Sequence, residues 1–252
     1  KKMLFGHPGG GTSKTTIVVG ESINEFTSSN VTYDADGSKS VSKASYDGVD
    51  VTQELSIIEN SATGRDDVVK IKYIVKNDTE YANQVGTRIM MDTMLGGNDA
   101  APFRVNGSDV TTETVYSGSN IPQIWQAFDS ATNPGVVAQG TFYKSGDRKP
   151  DKVQFTNWGN VTSTLWDYVT QPGRSNGDSA VSITWNKDTF TSGETREFVT
   201  YYGLSELEQN LIPPLALSVY ADNKVSISNF NYDDINANVY LDNIGDGDAT
   251  DV

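Results

Sequence analysis

The stretch DVVKIKYIVKN, residues 67–77, alternates apolar and polar side chains with a period of two. Successive side chains of a β-strand point to opposite faces of a sheet, so this period predicts a strand with one buried face. The apolar face would carry Val69, Ile71, Tyr73 and Val75, and lysines would occupy the other face. Because no long stripe with a helical period of 3.6 residues competes with this pattern, it constrains the fold more than any other feature.

The same kind of pattern recurs along the chain. Strands are predicted over VTQELSIIEN (51–60), VGTRIMMDTML (85–95), VQFTNW (153–158), AVSITWN (180–186) and TREFVTYYGL (195–204), separated by Gly, Asn, Asp, Ser and Thr residues. Short alternating strands with polar turns between them predict an all-β fold, here a large antiparallel β-sandwich with minimal helix. The one predicted helix is SELEQNL, residues 205–211, with Ser205 as its cap and Pro213 after its end.

The Pro213-Pro214 step predicts a domain boundary. We assign residues 1–213 to the β-sandwich module. Residues 214–252 resume a β pattern but are too few for a complete sandwich of about 100 residues. We expect them to be either the start of an Ig-like module or strands appended to the first module.

Composition excludes several classes of function. The formal charge is −14 and the basic residues are scattered, which disfavours binding to nucleic acid or to an anionic membrane surface. No apolar run approaches the roughly 20 residues of a membrane span, so we expect no membrane insertion. The absence of cysteine removes thiol nucleophiles and zinc-thiolate sites. The one histidine, His7, lies in a Gly/Pro-rich stretch and is predicted to be a turn residue, not a catalytic base.

Two motifs resemble a phosphate-binding loop and a calcium-binding loop, but each lacks a residue that its motif requires. In GHPGGGTSKTT, Ser13 and not glycine precedes Lys14, and the following TTIVV predicts a strand where a phosphate loop needs a helix. In DNIGDGDATD, residues 242–251, Ile244 occupies the third position, where a calcium hand needs an oxygen ligand. A turn between strands is the better interpretation of the second motif.

The segment RIMMDTMLGGND, residues 88–99, leaves two interpretations open. Asp92 would share the less apolar face of its strand with Arg88, away from the main core. Gly96-Gly97 predicts a turn with Asn98 and Asp99 at its tip. Asp92, Asn98 and Asp99 form either a structural turn or a ligand set, which would bind sugar hydroxyls or a hard cation such as calcium, a cation that prefers oxygen ligands.

The tryptophans divide by strand face. Trp185 shares a face with Val181 and Ile183 and is predicted to be a core residue. Trp158, Trp166 and Tyr168 are instead predicted on the polar faces of their strands, where rings beside Asn, Gln, Asp and Thr side chains suit a sugar. The candidate carbohydrate-binding residues are these three aromatics together with Trp125, Gln154 and Asp167. The alternative is a second core that buries the same aromatics.

Several long strings of this chain resemble a family of modules. LFGHPGGGTSKTTIVV, TGRDDVVKIKYIVKN, VGTRIMMDTMLGGNDAAPF, IPQIWQAFDS, KPDKVQFTNW, GDSAVSITWN and VTYYGLSEL are similar to a β-supersandwich module of secreted surface proteins of anaerobic Gram-positive bacteria. The resemblance covers about residues 2 to 215 and extends to starch-adherence proteins of amylosomes. It implies the supersandwich shape of galactose mutarotases, an extracellular or cell-surface location and contact with other modules. Mutarotase chemistry uses histidines, and this chain has none after residue 7.

From these features we predict a non-catalytic carbohydrate-binding module, which is not an enzyme and needs no cofactor apart from possible calcium. Its best partner is a polysaccharide of the starch-like α-glucan type. The alternative is a structural spacer or adhesion sandwich without a sugar site. A glycosidase or lyase built on paired carboxylates is a third class, but an acidic chain supplies such pairs by chance.

Overall fold

The computed structural model describes residues 2–28, 30–60 and 64–205, together with the backbone of four strand segments at 215–221, 227–228, 231–232 and 237–243. Most of the predicted helix at 205–211, the Pro213-Pro214 boundary and most of the 242–251 motif lie outside the described residues. The division into two modules therefore stays a prediction.

The described chain is almost entirely β-structure, which confirms the predicted fold class. The strands of the main body are β1 (Lys14–Val19), β2 (Ser22–Glu25), β3 (Val31–Tyr33), β4 (Lys39–Tyr46), β5 (Val49–Asn60), β6 (Arg65–Asn77), β7 (Asn83–Asp92), β8 (Phe103–Val105), β9 (Ser108–Val110), β10 (Thr114–Ser117), β11 (Ile124–Phe128), β12 (Val137–Thr141), β13 (Lys152–Asn157), β14 (Ser179–Phe190) and β15 (Thr195–Ser205). Two short helices interrupt them, a 3₁₀ helix (Gly118–Asn120) and α1 (Trp158–Val161). No helix among the described residues is long and apolar enough to cross a membrane.

Four further strands follow in the C-terminal part of the chain. They are β16 (Leu215–Ala221), β17 (Ile227–Ser228), β18 (Asn231–Tyr232) and β19 (Ala237–Asn243). β16 pairs with β19, and β17 pairs with β18, in both cases antiparallel.

Two antiparallel sheets form the sandwich. The six-stranded sheet has the order β10-β13-β14-β7-β1-β2, and the nine-stranded sheet has the order β3-β4-β5-β6-β15-β12-β11-β8-β9. The strand predicted from DVVKIKYIVKN is β6, in the middle of the larger sheet, and Tyr73 and Val75 point into the core as expected. The predicted strand after Lys14 is β1. His7 is exposed in a turn, as predicted.

The core between the sheets is built from large aromatic side chains. Trp185 is fully buried, which confirms its prediction, and its indole N–H donates to the carbonyl of Arg148. Trp125 stacks on Tyr202, with ring centroids 5.3 Å apart. Gly140, opposite Trp125 on the neighbouring strand, leaves room for the indole, because a Cβ there would lie 2.1 Å from ring atoms of Trp125.

The outer face of the six-stranded sheet is covered by residues 158–175, here called the covering segment. It consists of α1 and an irregular stretch, and Ser175 forms an isolated bridge with Thr112 at its end. Helix α1 begins because the Asn157 side chain accepts a hydrogen bond from the N–H of Asn160, a typical N-cap.

Candidate functional site

The structure corrects the predicted carbohydrate platform. Trp125 does not lie on a surface: it is 1% exposed in the central core. Gln154 is 2% exposed and Tyr168 is 7% exposed. The prediction that these side chains face solvent is therefore wrong.

The remaining candidates belong to the covering segment or to its start. Trp158 begins α1 instead of ending a strand, and its indole N–H donates to the carbonyl of Thr12 at 3.1 Å. Trp166 is half-buried and its ring lies against Gly86 of β7. Trp166 and Tyr168 do not lie on a strand, so the expected strand spacing between their rings is absent. Asp167 is exposed and forms an ion pair with Lys152 at 3.1 Å.

Arg88, on the outer face of the six-stranded sheet, binds the covering segment through hydrogen bonds. Its guanidinium donates to the carbonyls of Val161, Thr164 and Trp166 and to the hydroxyl of Ser182. Burial lowers the pKa of Arg88 to about 10, which still leaves the side chain charged at neutral pH. A charged donor that satisfies three backbone carbonyls, one of them fully buried and two partly buried, explains why this face of the strand is polar although Arg88 itself is only 2% exposed.

Glu113 and Gln154 hold the rest of the covering segment. The Glu113 carboxylate accepts hydrogen bonds from the Tyr168 hydroxyl, the backbone N–H of Gln171 and the amide of Asn160. Burial alone would raise the pKa of Glu113, but these hydrogen bonds outweigh it and lower the pKa. Gln154 donates to the carbonyl of Tyr168 at 2.9 Å.

The space that remains beneath the covering segment is small. Between Arg88, Met90 and Leu165 it amounts to about 10 Å³. That is room for roughly one water molecule and too little for a sugar ring. Of the two interpretations of the polar strand face, the structure supports the second core.

A much larger cleft lies elsewhere, at the edge of the sandwich. Its volume is about 670 Å³, and it opens between the β8–β9 turn, β10, the 3₁₀ helix and the residue after Phe142. Ten residues line it: Asn106, Val115, Tyr116, Ser117, Ser119, Asn120, Ile121, Pro122, Gln123 and Tyr143. None of these side chains carries a charge at neutral pH, although the whole chain has a net charge of −14.

The cleft offers hydrogen-bonding groups on a fixed frame. Tyr116 is held by an edge-to-face contact with the core residue Phe155, with centroids 6.1 Å apart. Burial raises the pKa of the Tyr116 hydroxyl above its ordinary value. Gln123 donates to the carbonyl of Tyr143 at 3.2 Å and fixes the two residues together. Asn106, at the tip of the β8–β9 turn, adopts a φ of 49° and is exposed. Two tyrosines, amides and hydroxyls can together bind a neutral polyhydroxylated ligand.

Three carboxylates converge at a separate place, near the end of β7. Carboxylate oxygens of Asp92, Asp99 and Asp178 all lie within 4.8 Å of one another. Asp92 faces away from the main core, as predicted. Asn98 is not part of this group, because its amide donates to the carbonyl of Asp129 and its oxygen accepts from the N–H of Ala100.

Burial and mutual repulsion make this group costly in its charged form. Burial raises the pKa of Asp92 to about 6, and the neighbouring charges of Asp178 and Asp99 add to the effect. Burial likewise raises the pKa of Asp99 and of Asp178. The sequence did not identify Asp178, which lies 79 residues beyond Asp99 in the chain.

No protein-family model and no curated protein matches the chain. Solved structures of similar shape include three with little sequence identity to this chain. One is a galactose mutarotase related enzyme from Lactobacillus acidophilus, 7% identical, with a TM-score of 0.39 over 73% of this chain and 72% of that one. Another is an aldose epimerase homologue from C. elegans, 10% identical, with a TM-score of 0.40 over 82% and 80%. The third is a polysaccharide lyase, 12% identical, with a TM-score of 0.43 over 84% of this chain and 29% of that one.

These comparisons correct one prediction from the sequence. Two of the similar structures are named as a mutarotase-related enzyme and an epimerase homologue, which contradicts the prediction that the chain is not an enzyme. With TM-scores below 0.5, the likeness gives no residue correspondence, and no catalytic role is transferred to this chain. This chain spans under a third of the lyase.

Proposed function

We propose that the chain binds a neutral polysaccharide in the cleft between the β8–β9 turn and the 3₁₀ helix. The observation that carries the proposal is the lining of the cleft: a volume of about 670 Å³ bounded by tyrosine, asparagine, glutamine and serine side chains and by no charged side chain. Sugar rings present apolar faces to aromatic rings and hydroxyls to amides and hydroxyls.

Charge narrows the class of polysaccharide. A chain with a net charge of −14 repels a polyanion at long range, and none of the ten residues that line the cleft is a lysine or arginine. The nearby cation Lys149 lies over the ring of Tyr143, with its Nζ 5.3 Å from the ring centroid. A neutral glycan is therefore favoured over an acidic one. Starch-like α-glucan is the first candidate, on the resemblance of the sequence to starch-adherence modules, and the same resemblance supports an extracellular or cell-surface location.

Affinity electrophoresis tests the proposal. The purified chain is run in native gels that contain soluble starch, with mannan, xylan and the uronate polymer pectate in parallel gels. We expect retardation in at least one neutral glycan and none in pectate. Failure of every neutral glycan to retard the chain, or retardation by pectate alone, would contradict the proposal and favour a structural spacer.

Matched variants locate the site. Tyr143→Ala removes an aromatic lining residue and should weaken binding about tenfold, since an aromatic contact in a binding site contributes upward of about 1 kcal/mol. The control is Tyr33→Ala, which removes an exposed tyrosine far from the cleft in sequence. Thermal melts of both variants must stay close to that of the parent. Equal binding by Tyr143→Ala and Tyr33→Ala would exclude the cleft as the binding site.

A further inference from the structure

Three carboxylates from separate parts of the chain meet at one point. Asp92 is the last residue of β7, Asp99 follows the Gly96-Gly97 turn, and Asp178 immediately precedes β14. Existing hydrogen bonds set this arrangement: the N–H of Ser179 donates to the carbonyl of Asp99 at 2.8 Å, and the N–H of Trp158 donates to the carbonyl of Asp178 at 2.7 Å. The backbone carbonyls are occupied, and the carboxylates are directed at one another.

Two of the carboxylate oxygens at this point lack hydrogen-bond partners, while the Asp178 carboxylate accepts a hydrogen bond from the backbone N–H of Gly159. Asp92 is 2% exposed, and its Oδ1 is buried with no hydrogen bond. Oδ1 of Asp99 is likewise buried without a partner. The Thr12 hydroxyl lies beside Asp92 and lowers the pKa of its carboxyl, which only partly offsets the effect of burial. An unpartnered buried oxygen costs about 1–3 kcal/mol, and buried charges are normally paired or bound to metal. Among the described residues, no Lys or Arg side chain forms an ion pair with these three carboxylates. The group therefore needs a positive charge from another source.

We propose that Asp92, Asp99 and Asp178 bind one calcium ion, with the Thr12 hydroxyl as a further oxygen ligand. Calcium takes six to eight oxygen ligands at about 2.3–2.6 Å, so one ion can bridge oxygens that lie within 4.8 Å of one another. Asp99 and Asp178 are half-buried, which leaves a side open for water ligands. Magnesium demands near-octahedral geometry and usually keeps most of its waters, with only one or two carboxylates as protein ligands, so a set of three carboxylates favours calcium.

The ion would join the end of β7, the Leu95–Asn98 turn and the start of β14. Through the hydrogen bond between Asp178 and Trp158 it would also hold the first residue of the covering segment in place. This site is independent of the proposed polysaccharide cleft, which shares no residue with it. Either proposal can fail without the other.

The test begins with the full 252-residue chain, freed of metal with EDTA and desalted. Titration calorimetry with CaCl₂ should show one site per chain. Calorimetric melts should show a rise in Tm of about 5–10 °C at a calcium concentration a hundredfold above Kd. MgCl₂ at the same concentration should give a much smaller rise. No saturable calcium binding, or an equal rise with magnesium, would overturn the proposal.

Isosteric variants should change Tm in opposite directions with and without calcium, which a general folding defect would not do. Without calcium, Asp99→Asn and Asp178→Asn should melt above the parent, because each removes like-charge repulsion. With calcium they should melt below it, because each removes a ligand. The control Asp66→Asn makes the same change of charge at an exposed position and should keep the full calcium response. If the variants melt above the parent both with and without calcium, the group binds no ion; if Asp66→Asn loses the response as well, calcium acts on the acidic surface in general.

Discussion

Replacing Gly86 by alanine tests whether Trp166 packs against the six-stranded sheet. Gly86 lies in β7, and a Cβ at this position would come within 2.5 Å of Cη2 and 2.7 Å of Cζ2 of Trp166. It would also lie 3.1 Å from the backbone nitrogen of Lys187. Carbon atoms in contact are about 3.5–4.0 Å apart, so the ring must move by about 1 Å or the strand must shift.

The magnitude follows from two opposing effects. Overpacking a filled site costs about 1–3 kcal/mol, whereas alanine is favoured over glycine within a strand by about 0.5–1 kcal/mol. Gly86→Ala should therefore lower the free energy of unfolding by about 0.5–2 kcal/mol in the parent. In a Trp166→Ala background the ring is gone, and the same change should be neutral or stabilising. The coupling energy between the two positions should be about 1–3 kcal/mol.

Urea unfolding of the parent, both single variants and the double variant measures this coupling. The four proteins should share one m-value, so that midpoints convert directly into free energies. If the two changes add to within about 0.5 kcal/mol, Trp166 does not rest on Gly86 in solution. The covering segment would then lie elsewhere, and the outer face of the six-stranded sheet would again be available to a ligand.

Three further substitutions test the core and the anchors of the covering segment. Trp185→Ala should cost about 3–5 kcal/mol in urea unfolding, because it leaves a large cavity between the sheets; a cost below about 1 kcal/mol would place the indole outside the core. Arg88→Met should cost about 3 kcal/mol, because one fully buried and two partly buried carbonyls lose their donor. Limited proteolysis of this variant should cut within residues 158–175, and unchanged stability would contradict the role of Arg88. Glu113→Gln should lower the free energy of unfolding at pH 7. The difference in this free energy between variant and parent should shrink as pH falls below about 4.5. The reason is that a carboxylate whose pKa is lowered by folding stabilises the fold only while it is ionised. A difference that is constant from pH 7 to pH 3 would show that the Glu113 charge does not matter.

Strand periodicity predicted the fold class but not the covering segment. The period of two in β6 marks one face as apolar, and Tyr73 and Val75 are buried accordingly. On β7 and β13 the polar residues Arg88 and Gln154 led to the prediction that the outer face of the six-stranded sheet is exposed to solvent. Both are buried because an irregular segment, whose backbone carbonyls they bind, lies over them. Periodicity describes which way a side chain points, but it contains no information on what packs against that side.

The candidate sites differ in how many of their residues could be identified from the sequence. Asp92 and Asp99 are close in the chain, and the sequence identified both as possible ligands on either side of the Gly96-Gly97 pair. Asp178 joins them only because β14 pairs with β7, which places Ala180 opposite Asp92. The cleft is assembled from several separate segments whose residues are individually common at turns. Sites built by long-range strand pairing leave no local signal in a single sequence.

Mapping a bound oligosaccharide on the protein shows whether the cleft binds a neutral polysaccharide. Maltoheptaose is titrated into ¹⁵N-labelled chain while backbone amide shifts are followed. We expect saturable shifts at Asn106, at residues 117–120 and at Gln123, with the amides of residues 158–175 unchanged. Shifts confined to residues 158–175, or no saturable shift with any neutral oligosaccharide, would contradict the proposed function.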